Sequence, residues 1–168
     1  MLSSLKARVD RALGWVLVVL MGTAVLNVLW QVISRFVLND PSSFTDELAR
    51  YLLIWVGLLG ASYASGQHLH LAIDLLPTLL KGRRRALLLL IIEILVFLFA
   101  LGIMVIGGVR LVSLQLLLGQ TSAALQLPLG VIYLVLPVSG ALIMFYTSLR
   151  AWDHLGELRQ DPPSAPAS

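Results

Sequence analysis

The sequence predicts an all-α integral membrane protein: four transmembrane helices, both termini in the cytoplasm, and a short interfacial segment between the second and third helices. Three observations lead there. Of 168 residues, 58% are hydrophobic and 12% charged, with a mean hydropathy of +0.90. Soluble domains carry roughly 25% charged residues, so the polar surface here is too small to cover a water-soluble globule. Four apolar stretches, about 13–33, 48–65, 86–109 and 129–149, approach the ~20 residues that a hydrocarbon core of ~30 Å requires. Finally, Lys and Arg are placed unevenly around those stretches, as the positive-inside rule demands.

The first span follows Lys6, Arg8 and Arg11. A secretory signal peptide begins in the same way, but this apolar run exceeds the usual 7–15 residues and no small-x-small cleavage site follows it. It is therefore expected to be an uncleaved helix after a cytoplasmic tail over 1–12. Within it, Thr23, Asn27, Gln31 and Arg35 recur every four residues and form one polar stripe. Such a stripe faces protein rather than lipid. Packing against another helix is the favoured reading, and lining of a conduction path is the alternative.

The second span opens in "SFTDELARYLLIW", residues 43–55, where charges are dense for so apolar a chain. Ser43 with Asp46 three residues later fits an N-terminal capping pattern, and Asp46 and Glu47 sit at the positive end of the helix dipole. Arg50 follows both acids at helical spacing. Arg35 ends the preceding helix nearby. The expectation is a four-charge cluster of Arg35, Asp46, Glu47 and Arg50 that ties the outer ends of the first two helices and presents a surface to a partner.

Between the second and third spans, His68-x-His70-x-x-x-Asp74 places three possible metal ligands within seven residues, and imidazole with carboxylate suits zinc or iron. The interleaved Leu69, Leu71, Ile73, Leu75 and Leu76 favour an amphipathic stretch at the membrane interface instead. No metal or other cofactor is assigned. The run Lys81-Gly82-Arg83-Arg84-Arg85 reads as a topology anchor on anionic headgroups of the membrane lipids, not as a nucleic-acid patch.

In the third span Glu93 lies eight residues beyond Arg85, about 12 Å along the helix at ~1.5 Å per residue. An ionised acid at mid-span costs ~2.5–3.5 kcal/mol on insertion scales, so a partner is expected, with Tyr63 and Tyr146 the candidates by depth. A hydrogen-bonded packing acid, a bond to another subunit and a coupling-ion site are the three readings. Gly102, Gly107 and Gly108 suit close helix approach. In the fourth span, Pro137 with Gly140 is expected to kink the helix. Residues 13–150 thus form one transmembrane domain, and 151–168, ending "RQDPPSAPAS", a largely disordered cytoplasmic tail.

Three blocks, "SRFVLNDPSSFTDELARYLLIW", "HLHLAIDLL" and "GQTSAALQLPLGVIYLVLPVSG", occur in this order around the four spans. Between about Ala24 and Tyr146 the chain resembles the small membrane subunit, DctQ-like, of tripartite ATP-independent periplasmic (TRAP) transporters. The resemblance matches Arg35-Phe36 at the end of the first helix, Asp46, Glu47 and Arg50 at the start of the second, and His70 with Asp74 after it. Gln120, Pro128 and Pro137 belong to the third block. Phe44 stands where many members carry Trp, and Ala72 where many carry a basic residue. The resemblance implies an inner-membrane assembly in which a periplasmic binding protein captures an organic acid. A large multi-span subunit then moves it with a sodium gradient, and this non-catalytic chain braces that subunit as a separate polypeptide. The alternative is a homo-oligomeric small ion or metabolite channel lined by Asn27, Gln31, Arg35 and Glu93. An enzyme ranks third, since no nucleophile–base pair or phosphate loop is present; the absence of cysteine excludes thiol chemistry.

The charge count generates a test of topology. Nine Lys and Arg residues lie on the side of the termini and three, Arg35, Arg50 and Arg110, on the other. In this cysteine-free chain, a cysteine at Thr121 is expected to react with a membrane-impermeant maleimide added outside, and a cysteine at Arg83 to react only after permeabilisation. The reverse pattern inverts the topology.

Overall fold

A computed structural model describes residues 2–40, 42–67 and 83–159. Every regular element among them is helical. They are α1 (Leu2–Phe36), α2 (Ser43–Gly66), α3 (Arg83–Phe99), a π-helical segment (Ala100–Gly107), α4 (Gly108–Leu117), α5 (Leu129–Tyr133) and α6 (Val135–Arg159). Four helical runs are long and apolar enough to cross a membrane: Ser4–Phe36, Ser43–Gly66, Leu87–Leu117 and Leu129–Trp152.

The helices start and stop for local reasons. α1 begins at Leu2, inside the expected tail, because a polar turn extends an existing helix without a new nucleation cost. It ends where Asn39 adopts a left-handed φ of 53°, a conformation that Asn tolerates at helix C-termini. The cap of α2 is Ser42, one residue earlier than expected. Ser42 is extended, its hydroxyl donates to Thr45 Oγ1 (3.1 Å) and the Thr45 hydroxyl donates to the Ser42 carbonyl (2.7 Å). α6 likewise continues through 151–159, which the sequence reading assigned to the tail; residues 160–168 lie outside the described part.

The third span runs eight residues past its expected end at Val109, to Leu117. Arg110 does not stop it, since a long cationic side chain near a helix end can reach polar surroundings along its own stem. Within this span the chain widens into π-helix from Ala100 to Gly107, a geometry common at specialised positions in helices. The fourth span breaks at Leu134, between α5 and α6. Pro137 causes this: it has no N–H for the Tyr133 carbonyl, and its ring crowds that turn.

Neighbouring spans follow the order first, second, fourth, third. Leu13, Leu59, Val135 and Tyr146 form the core of α1, α2 and α6, with Leu17, Trp55 and Leu142 packed around them. On the other side of α6, the break and the π-segment fit together. A Cβ on Gly108 would stand 2.9 Å from Pro137 Cδ, and one on Gly140 would stand 2.7 Å from Met104 Cβ and 3.3 Å from the Ala100 carbonyl oxygen. Of the three glycines expected at a close approach, only Gly108 makes one; Gly102 has open space where a side chain would be.

Such contacts are set by backbone separation, so added bulk cannot be absorbed by a rotamer change. Gly140→Ala is expected to destabilise the protein by about 1–3 kcal/mol, read as a lower unfolding midpoint in detergent micelles, while Gly102→Ala leaves the midpoint unchanged or raises it. Equal behaviour of the two variants would mean that the third and fourth spans do not approach at Gly140.

Candidate functional site

The polar side chains gather at the two ends of the bundle, and each end joins several helices. At the loop end, the first two helices are connected through the stripe of α1. Asn27 Nδ2 donates to the carbonyl of the fully buried Thr45 (2.9 Å), and Gln31 Nε2 donates to the Asp46 carboxylate. Thr23 does not join in: it is exposed and bonds back to the Val19 carbonyl of its own helix (2.8 Å).

Glu47 does more than start a helix. One carboxylate oxygen accepts from the Tyr51 hydroxyl (2.7 Å) and the Ala123 amide (3.1 Å), and the other from the amides of Ala124 (2.6 Å) and Leu125 (3.0 Å). Four donors fill the acceptor sites that an ionised carboxylate offers. The amides come from the connection between α4 and α5, which is itself bonded into a compact unit. Ser122 N–H donates to the Leu127 carbonyl (2.8 Å), and Leu129 N–H to the Gln120 carbonyl (2.9 Å). Thr121 pairs with Pro128 in an isolated bridge, and extended Pro128 leads into α5. Glu47 therefore fastens the third-to-fourth connection onto the second helix.

This geometry corrects the expected four-charge cluster. Asp46 and Glu47 have partners, but those partners are Gln31, Tyr51 and loop amides. Arg35 and Arg50 are exposed, and among the described residues neither forms an ion pair with the acids. The reason is geometric: backbone amides and a side-chain amide reach the carboxylates first, and the two arginines point off the bundle.

The second polar centre lies toward the terminal end. Glu93 Oε1 stands 3.1 Å from Arg150 Nε, with side chains only 10% and 12% exposed. Arg150 Nη2 also donates to Ser65 Oγ (3.1 Å). Beside them, the buried Tyr146 hydroxyl donates to Asp10 Oδ1 (2.6 Å), its ring packed where a Cβ on Gly66 would sit. These few residues link all four spans. Glu93 is thus partnered by Arg150, not by Tyr63 or Tyr146 as expected, because Arg150 lies on the face of α6 that meets the third span and turns inward instead of anchoring to headgroups. Between the two ends, Trp55 Nε1–H donates to the Ile132 carbonyl near the helix break (3.0 Å), and Ser62 Oγ–H to the Ser139 carbonyl (3.1 Å).

His70 and Asp74, together with the whole expected interfacial segment, lie outside the described residues. Among the described residues no three His, Asp or Glu side chains converge on one point. Asp10, Ser65, Tyr51 and the 123–125 amides were not singled out from sequence. Only Tyr51 carried a local signal, its four-residue spacing from Glu47.

The fold is that of a multi-pass helical membrane protein, in which Asn27, Gln31, Glu47 and Glu93 are bonded to other elements of the same chain. The family described as tripartite ATP-independent periplasmic transporters, DctQ component, matches residues 24–156, and the chain belongs to that family. It is 27% identical over 143 residues, 85% of this chain and 87% of the relative, to a TRAP transporter small permease protein of Haemophilus influenzae. It is 38% identical over 85 residues, 50% of this chain and 49% of the relative, to the sialic acid TRAP transporter small permease protein SiaQ of Vibrio cholerae. Over 100 residues, 60% of this chain but 16% of the relative, it is 33% identical to the isethionate TRAP transporter permease protein DctMQ of Oleidesulfovibrio alaskensis. The protein is a transporter component of the inner membrane, not an enzyme.

The Glu93–Arg150 pair is the tie most sensitive to substitution, because removing one partner leaves the other, a largely buried charge, without its counter-ion. Glu93→Gln and Arg150→Ala are each expected to cost about 3 kcal/mol in detergent unfolding. The double variant Glu93→Gln with Arg150→Ala should cost clearly less than the sum of the two single changes, the signature of direct coupling. Strictly additive losses would rule the pair out as a structural tie.

Proposed function

We propose that this chain is the small membrane subunit that braces a separate large transport subunit in a sodium-driven importer of organic acids supplied by a periplasmic binding protein. Its termini lie in the cytoplasm, and the Glu47 clasp and the 118–128 connection face the periplasm. The observation that carries the proposal is the use made of the polar groups. Asn27, Gln31 and Glu93, which a conducting stripe would need free, are bonded across helix pairs. Meanwhile the flanks of the spans stay apolar and open: of the most apolar window in each span, only 11% of residues are buried in the first and 33% in the fourth. A thin helical layer with apolar flanks is suited to lie against another membrane protein.

The relatives support the pairing. The stretch matched in the isethionate permease is a small part of a much longer chain, and a sialic acid TRAP transporter permease protein, SiaT, of Haemophilus influenzae is 36% identical over 67 residues, 11% of its length. In both, sequence like this one is joined to a larger permease. The transported substrates named for these relatives, sialic acid and isethionate, are organic acids. Arg35 and Arg50, exposed beside the clasp, supply positive charge for acidic groups on the partner components. Asp46 and Glu47 hold the surface between them in shape.

Reconstitution tests this reading. Liposomes holding this chain, its large subunit and the binding protein are expected to accumulate organic acid when an inward sodium gradient is imposed, and omission of this chain should abolish uptake. This chain alone should pass neither solute nor ion. A sodium-dependent current through the chain alone would favour the homo-oligomeric channel.

A further inference from the structure

The terminal end of the bundle carries a groove that the polar ties leave unfilled. It lies between α1 and α2, has a volume of about 530 Å³ and is lined by Asp10, Arg11, Gly14, Trp15, Val18 and Tyr63. It opens to the outside of the bundle between the two helices. Gly14 forms its floor: a Cβ there would reach only ordinary contact with Tyr63, at 3.9 Å from Cε2. Larger side chains would fill the space.

The chemistry of the lining changes along its length. The end nearer the terminus holds an acid and a base side by side. The Asp10 carboxylate accepts from Tyr146 through Oδ1, leaving Oδ2 as a second acceptor, and the adjacent Arg11 guanidinium is exposed. Tyr63 offers a hydroxyl at the same level. One to two turns deeper, Gly14, Leu17 and Val18 are wholly apolar, and Trp15, 66% exposed, forms one wall. An amphiphile with adjacent positive and negative headgroup charges and an aliphatic tail matches that order. A neighbouring protein helix would have to deliver both an acid and a base to one depth to neutralise the same two residues.

We propose that this groove is a binding site for a glycerophospholipid of the leaflet at the terminal end. Its phosphate sits on Arg11, its primary ammonium on Asp10, and one acyl chain lies over Gly14 along Leu17 and Val18. The phosphate–guanidinium contact is charge-assisted and suited to two parallel hydrogen bonds. The ammonium gives Asp10 the cation that its tyrosine partner does not supply. The bound lipid fills the seam between the first and second helices, where α1 has few polar ties.

Native mass spectrometry of the full chain, purified with its large subunit, provides the test. After delipidation, phosphatidylethanolamine, phosphatidylcholine or phosphatidylglycerol is added back in turn. One phosphatidylethanolamine is expected to be retained in preference to the other two. Arg11→Ala and Asp10→Asn should each weaken retention about tenfold, the scale of one charged hydrogen bond, and Gly14→Phe should abolish it. Asp10→Asn keeps an acceptor for Tyr146, so it separates loss of the lipid from loss of fold; an unchanged unfolding midpoint checks this. Three results would each overturn the proposal: equal retention in Gly14→Phe and the unsubstituted chain, preference for phosphatidylglycerol that persists in Asp10→Asn, or cross-linking of a cysteine at Val18 to the large subunit.

Discussion

Helices in hydrocarbon have no hydrophobic reason to associate, because lipid tails are as apolar as leucine. What separates one arrangement of four apolar rods from another is a small number of polar contacts and places where backbones approach closely. Every unpaired polar group is costly in that setting, so a polar side chain on one helix selects the neighbour that satisfies it. This constraint accounts for the distribution of contacts here. The ties cluster at the two ends of the bundle, where some hydration lowers the cost of an imperfect bond. The middle is joined by serine and indole bonds to backbone carbonyls and by glycine against proline and methionine.

The fourth span occupies the centre of this scheme. Its break at Leu134 follows from Pro137, and the same proline lies against Gly108 of the third span. Its inner turn brings Tyr146 to Asp10 of the first helix, and Arg150 to Ser65 of the second and Glu93 of the third. At the opposite end, Glu47 bonds the connection that leads into α5. The fourth span is thus fixed at both ends by neighbours distant in sequence, and it has the largest buried share of the four. The first span is attached mainly through Asn27, Gln31 and Asp10 and has the smallest.

Four spans and the inward-facing part of the stripe are legible in the sequence because hydropathy and a four-residue repeat are local properties. Asn27 and Gln31 follow that logic, facing the helix that comes next in the chain. The role of Glu47 is not legible in this way. Its acceptors meet amides 76 to 78 residues downstream, and nothing in "TSAAL" distinguishes those amides from others in a loop. Arg150 is hidden by a rule that usually serves well: a basic residue near the end of a span reads as an anchor, and only the packing of the third against the fourth span places Glu93 beside it. The four-charge cluster fails for a related reason. Sequence proximity brings opposite charges to mind, whereas a carboxylate in a partly dry boundary binds the nearest donors, and backbone amides, already fixed by the loop, lose little freedom in binding it.

The same preference explains why the arginines remain on the surface. The Glu47 carboxylate is saturated by neutral donors and Asp46 is bonded by the Gln31 amide, so Arg35 and Arg50 contribute little to the chain's own ties. Exposed cations at a headgroup boundary are cheap, and they are well suited to long-range attraction of acidic surfaces. The apolar flanks have the opposite character: they fit a neighbouring helix closely but select poorly among helices, since contact with lipid is nearly equivalent. In the bracing role proposed here, affinity and recognition are therefore divided. Close packing along the flanks holds the neighbour, while the end surface shaped by Glu47 and bordered by Arg35 and Arg50 sets which neighbour is held and in which orientation.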